Sequence, residues 1–125
     1  MKIHELFEDM SRSELDYVEQ IADAFWNKLG IDVKFTYHFI DRVNDPRNRT
    51  PITADELIQL FKKEYQMYGK DIAELGSNAE AVMKDLLTKI NLPFVISGSG
   101  KRKQLVTKTV MRKKNFKTPS AEYKV

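Results

Sequence analysis

The stretch Leu92-Pro93-Phe94-Val95-Ile96-Ser97-Gly98-Ser99-Gly100, followed by Gln104-Leu105-Val106-Thr107-Lys108-Thr109-Val110-Met111-Arg112, decides the fold class of this 125-residue chain. A short apolar run meets a Gly/Ser cluster, and a second run rich in β-branched residues follows. Branched side chains suit a pleated, half-buried surface, and Gly/Ser marks a turn. The pair predicts an antiparallel hairpin over about residues 92–113. Two strands alone are marginal in water, so a third is expected from 65–75 or from 115–125.

Upstream, helices predominate. Ser11-Arg12-Ser13-Glu14, Thr53-Ala54-Asp55-Glu56 and Ser77-Asn78-Ala79-Glu80 each fit the S/T-x-x-E capping box. In that box hydroxyl and carboxylate satisfy amides that a helix start leaves unpaired. Leu15, Val18, Ala22, Phe25 and Leu29 recur at helical spacing before Gly30, predicting a helix over 11–29. Leu57, Leu60, Phe61, Tyr65 and Tyr68 do so before Gly69, predicting 53–68, and Val82, Met83, Leu86 and Ile90 predict 77–90. Between Ile31 and Asn44 two periods compete. Ile31, Val33, Phe35 and Tyr37 alternate like a strand, whereas Phe35, Phe39, Ile40 and Val43 repeat like a helix. The helical pattern persists longer, so a helix over 35–44 is expected, ended by Pro46. The class is α+β: helices first, then a small antiparallel sheet. One domain of 1–125 is expected, with 1–30 as a helical extension of a body spanning 31–125.

Composition narrows the functional classes. Apolar residues make up 42% and charged residues 31%, ordinary for a globular protein. No apolar run approaches the ~20 residues that cross a bilayer. Met1 to Leu6 shows no apolar signal core, so a cytoplasmic location is expected, or a virion for a phage-encoded protein. The absence of cysteine excludes disulfides and thiol nucleophiles. His4 and His38 are the only histidines, poor material for a transition-metal site. No metal and no cofactor are expected, while carboxylate sites for magnesium stay compatible with the composition.

The formal net charge of +3 conceals a division. Residues 1–100 carry 12 Lys/Arg against 17 Asp/Glu, and residues 101–125 carry 9 against 1. Lys101, Arg102, Lys103, Lys108, Arg112, Lys113, Lys114 and Lys117 stand without an intervening acid, and Leu105, Val106, Val110, Met111 and Phe116 thread through them. A basic segment that can also fold predicts a surface for a polyanion, nucleic acid first and RNA before DNA.

A second constellation is His38-Phe39-Ile40-Asp41-Arg42, continuing to Arg47-Asn48-Arg49. On a helix, His38 and Arg42 share one face at i and i+4. Imidazole suits proton transfer near neutral pH, and guanidinium forks match phosphate oxygens. Cleavage of RNA needs both, without a metal. Alternation places Val106, Lys108, Val110 and Arg112 on one face of the basic strand, and Leu105, Thr107, Thr109 and Met111 on the other. Burying two unpaired cations costs about several kcal/mol, so Lys108 and Arg112 are expected to face out.

The string His38-Phe39-Ile40-Asp41-Arg42, with Arg47, resembles the H-F-x-x-R-x-x-x-R pattern of some phage and toxin-type domains. These belong to the barnase–EndoU–colicin–RelE group of metal-independent ribonucleases. The likeness covers about residues 34–114. It implies His38 as the helix-borne acid/base, Arg42 as the helix-borne arginine, Thr107 or Thr109 as the strand threonine and Arg112 as a basic partner. Arg47, Arg49, Lys101, Arg102, Lys103, Lys108, Lys113, Lys114 and Lys117 would then bind nucleic acid.

Blander expectations stand beside these. Trp26, Tyr65 and Tyr68 read as packing residues. Glu14, Asp16, Glu19 and Asp23 read as a solvated face, or as a contact for a basic protein partner. The same basic surface also suits a non-enzymatic virion component or nucleic-acid-binding accessory protein that only docks.

Overall fold

The computed structural model describes residues 10–99 and 102–125. Helix α1 (Arg12–Trp26) starts as its capping box predicts. Ser11 Oγ accepts from the Glu14 amide at 3.1 Å, and Glu14 Oε1 accepts from the Ser11 amide at 3.2 Å. A 3-10 turn, Asn27–Leu29, ends at Gly30, whose φ of 75° glycine tolerates without steric cost.

The ambiguous segment uses both of its periods. Strand β1 (Ile31–Phe35) takes the alternation, and helix α2 (Tyr37–Val43) takes the helical repeat. Thr36 is the joint, its hydroxyl accepting from the Phe39 amide at 3.1 Å. The expected helix over 35–44 is therefore corrected at its start. Phe35 serves both patterns because its ring lies 4.5 Å from that of Phe39.

Helix α3 (Ala54–Ala73) also begins at a reciprocal box, Thr53 with Glu56. It runs on past Gly69, the expected stop. Gly69 makes room for a neighbour instead, since a Cβ there would stand 2.9 Å from Leu29 Cδ1.

The helix expected over 77–90 does not form. Strand β2 (Glu80–Lys84) and the start of strand β3 (Ile90–Ser99) occupy it. Ala81, Val82 and Met83 are all buried, because β2 lies inside the sheet and is covered on both faces, which erases alternation. Asp85 then turns the chain, its Oδ1 accepting from the Leu87 and Thr88 amides at 2.9 and 3.3 Å. A capping box offers about 1 kcal/mol, less than the ladder and burial that β2 gains.

Strands β4 (Arg102–Thr107), β5 (Met111–Arg112) and β6 (Ala121–Lys124) complete one open mixed sheet of order β1-β4-β3-β2-β6, with β5 pairing antiparallel to the start of β3. The hairpin of β3 and β4 pairs Phe94 with Thr107 through Ser99 with Arg102; Gly100 and Lys101 lie outside the described residues. The further strand comes from the C-terminal segment, parallel to β2, while 65–73 is helical. β1 runs parallel to β4. The class is α+β as expected, with a mixed rather than purely antiparallel sheet.

Register aligns Val33, Leu105 and Ile96 in one row, and Phe35, Thr107, Phe94 and Ala81 in the next. All are buried, and they join Leu15, Val18, Trp26, Leu57, Leu60 and Phe61 from the helices in one core. Each large side chain contributes about 1.5–3 kcal/mol by leaving water. Trp26 packs edge-on to Tyr65, with ring centroids 5.8 Å apart.

Helix α1 belongs to this body and is no mere extension of it. Its acidic face is partly spent on the free edge of β1. Asp23 Oδ1 accepts from the Val33 amide and Glu19 Oε2 from the Phe35 amide, both at 2.7 Å. Open edges template unwanted pairing, and these carboxylates close this one. Among the described residues, no helix is long and apolar enough to cross a membrane.

Candidate functional site

The loop after α2 is built around one carboxylate. Asp45 Oδ1 accepts from the Arg47 amide at 2.8 Å, and Oδ2 receives Arg47 Nη2 at 2.8 Å and Arg42 Nη1 at 3.0 Å. The Arg47 guanidinium and amide, helped by Arg42, hold the Asp45 carboxyl well below the usual carboxylate range, and Arg47 is raised in return. Asn48 is buried and joins this loop to β5. Its Nδ2 donates to the Arg42 and Val43 carbonyls at 3.0 and 3.3 Å, and its Oδ1 accepts from the Arg112 amide at 3.0 Å.

That junction frames a cleft of about 730 Å³. One wall is residues 42–50, the other is Thr109 to Lys114, and Lys89 enters from the β2–β3 turn. Among the described residues seven cations line it (Arg42, Arg47, Arg49, Lys89, Arg112, Lys113 and Lys114) against one carboxylate, Asp45. Among the described residues Arg49, Lys89, Lys113 and Lys114 have no ion pair. Val110 is buried and anchors the second wall.

Arg112 does not face out. Its side chain is 14% exposed, and all five guanidinium N–H groups are used. Nη1 and Nη2 grip Glu56 at 3.0 and 2.7 Å, and the rest reach the Thr50, Pro51 and Thr88 carbonyls at 2.8–3.0 Å. Burial is the largest single influence and would raise Glu56, but the Arg112 fork and the Thr53 amide and hydroxyl together outweigh it, and the net shift is downward. The expectation of an outward arginine considered cost without partners; here every partner is supplied. Arg112 is a clamp holding the cleft together, with no donor left for a phosphate.

The other expected residues disperse. Thr107 is fully buried, its hydroxyl donating to the Lys34 carbonyl at 3.2 Å, so it cannot meet a ligand. Thr109 lines the cleft. His38 is exposed on α2 and does not line the cleft that Arg42 lines. Lys108 is exposed as expected, but pairs with Glu80. Lys103 Nζ donates to the Ala73 and Leu75 carbonyls at 2.7 and 2.8 Å, capping the end of α3. Arg102 and Lys117 are exposed away from the cleft, and Lys101 lies outside the described residues. Arg47, Arg49, Lys113 and Lys114 do converge. Lys89 escaped the sequence reading because 77–90 read as a helix; the signal was Asp85, a residue that turns its own backbone.

Elsewhere, Glu64 on α3 is fully buried and neither carboxylate oxygen has a hydrogen-bond partner. Burial pushes its carboxyl up to about 9; the nearby Lys84 amide works against the rise, and Asp85 adds to it. Among the described residues no three His, Asp or Glu side chains group as metal ligands would. Set against protein families, curated proteins and solved structures, the chain matches none, so the basic cleft stands on its own geometry.

Proposed function

We propose that this chain binds the phosphate backbone of a nucleic acid in the cleft between residues 42–50 and 109–114, and holds it without cutting. The observation that carries this is the concentration of seven cations against one carboxylate around a single concavity. A polyanion entering it releases counterions, which is the main source of nucleic-acid affinity. Arg49, Lys113 and Lys114 are exposed and able to meet phosphate oxygens, while Arg112, Asn48 and Asp45 keep the walls in place.

A cutting site needs an acid/base and charge stabilisers around one reacting atom. Against that, His38 lies outside the lining, Thr107 is buried and the donors of Arg112 are taken. Fluorescence anisotropy with a labelled RNA at rising salt tests the reading. Affinity should fall with a log–log slope of about 0.7 per phosphate contacted, and Lys113→Ala with Lys114→Ala should reduce that slope. Salt-independent binding would overturn it. Incubating labelled RNA with EDTA addresses cutting: cleavage that disappears in His38→Ala would restore the ribonuclease expectation.

A further inference from the structure

Beside the cleft lies a second basin of about 340 Å³, lined among others by Lys84, Asn91, Asn115, Phe116 and Lys124. Lys89, Lys113 and Lys114 line both concavities. The two hollows therefore share a basic ridge. We propose that the ligand is a single strand of several nucleotides, which leaves the cleft over this ridge and enters the second basin. The proposal rests on the nucleic-acid reading above and assigns a further subsite to it.

The ridge is a built feature. Asn91 is buried, and its Nδ2 donates to the Lys89, Met111 and Lys113 carbonyls at 3.1, 3.3 and 3.0 Å. The Lys113 amide donates to the Lys89 carbonyl at 2.9 Å. The backbones carrying the shared lysines are thus tied together. Lys89 and Asn115 adopt φ of 66° and 55°, left-handed positions that non-glycine residues take only where the surroundings hold them.

Charge and shape select the ligand. In the second basin Lys84 is already engaged by Glu122 and the Phe116 carbonyl, at 2.7 and 2.8 Å. Asp85 also lines the basin, but its Oδ1 serves the Leu87 and Thr88 amides and its Oδ2 lies 3.6 Å from Lys63 Nζ. Lys113, Lys114 and Lys124 remain for phosphate, Lys89 Nζ being already bonded to the Leu86 carbonyl at 2.7 Å; the half-buried Phe116 ring, with Lys84 Nζ 5.7 Å from its centroid, is the surface for a base. Lysines interleaved with an aromatic along a groove are how proteins track single strands. Duplex readers instead push a convex helix or ribbon into a groove of the nucleic acid. Here the cations line a concavity, so the body that enters is the strand itself.

Anisotropy with the whole chain tests this, using labelled oligouridylates of about 4 and about 12 nucleotides and a duplex of the longer length. The longer strand should bind about tenfold tighter than the shorter one, and tighter than the duplex. Phe116→Leu, which keeps an apolar side chain and removes the ring, and Lys124→Ala should each weaken the longer strand about fivefold or more. Both should leave the shorter one unchanged. Equal affinity for the two lengths, equal affinity for the duplex, or indifference of the longer strand to both variants would overturn the track. If salt-dependent binding persists in such a case, the cleft reading survives alone. If no oligonucleotide binds, both readings fall together.

Discussion

Glu56 and Glu64 stand on the same helix, two turns apart, and their regions treat a carboxylate in opposite ways. At the start of α3, Glu56 meets a complete set of donors: the Arg112 fork and the Thr53 amide. In the middle of α3, Glu64 is sealed under the sheet with no well-formed hydrogen bond, and the nearby Lys84 amide only partly offsets its burial. The first is held charged and pulled below the usual range; the second is kept neutral and pushed up to about 9. Burial is thus compatible with either protonation state, and the partner decides which. The cleft end of the helix is a fixed charged framework, and the core end stores a pH liability.

Breaking the framework should have the largest effect. Arg112→Ala would leave Glu56 without its fork and three carbonyls without a donor. Loss of one partner of such a pair costs about 3–5 kcal/mol when it is buried, and the partial exposure here points to the lower end. Urea denaturation at neutral pH measures it. Arg112→Lys should recover little, because one ammonium cannot reproduce a five-donor fork. A loss below about 0.5 kcal/mol, the size of an ordinary surface change, would show that Arg112 is no clamp.

Glu64 supplies the opposite limb. Its folded state keeps a proton that an unfolded carboxyl releases near 4.5. Stability from this site is therefore complete below that pH and falls as pH rises toward about 9, by at most about 1.4 kcal/mol per pH unit. Glu64→Gln should flatten this decline and be more stable than the parent by about 2–3 kcal/mol at pH 7–8. Glu56 behaves in reverse, its contribution present above the unfolded carboxylate range and lost on acidification. Thermal melts across pH should give a stability maximum in the parent that Glu64→Gln shifts to higher pH. An unchanged alkaline limb would mean that Glu64 finds a donor.

The same contrast explains what the sequence reveals and what it conceals. Local chemistry is legible: the boxes at Ser11 and Thr53 close as their spacing says, and the apolar run pairs with the first part of the branched run as β3 and β4, though Ser97 to Ser99 prolong the strand and β4 ends at Thr107. Tertiary context is not. The third box, at Ser77, loses to β2, whose burial on both faces leaves a run that imitates a helix. The cleft draws on residues 42–50, on Lys89 and on residues 109–114, three places in the chain, and no window contains them. Charge counting also treats Lys103, Lys108 and Arg112 as equals of Lys113 and Lys114. Yet one caps α3, one pairs with Glu80 and one is saturated by Glu56. Which cations remain free depends on neighbours that only the fold brings.

At the edge of the sheet the carboxylates of α1 give a smaller test. Asp23→Ala and Glu19→Ala each remove an acceptor from a β1 amide, and hydrogen bonds to charged groups contribute about 1.5–3 kcal/mol where water is excluded. These are partly exposed, so about 1 kcal/mol each is expected by denaturation. The double variant should also self-associate in sedimentation, because the β1 edge would be open. A monomer of unchanged stability would return this face to the role of a solvated surface.

The smallest effect on stability should come from the residues with the largest effect on binding. Lys113 and Lys114 are exposed and have no ion pair among the described residues, so Lys113→Ala with Lys114→Ala should change unfolding free energy by less than about 0.5 kcal/mol. Removing like charge that crowds the cleft should if anything stabilise the free protein slightly, since among the described residues lining the cleft Asp45 alone offsets the repulsion among Arg49, Lys89 and these lysines. The same substitutions should cut nucleic-acid affinity at low salt and leave little difference at high salt, where screening has already weakened the contacts. Clamp and ligand-facing cations would then separate cleanly: one set lost in the melt, the other in the titration. A large stability loss here would mean that the lysines are spent inside the protein, as Lys103 is, and the cleft would have little beyond Arg49 to offer a phosphate.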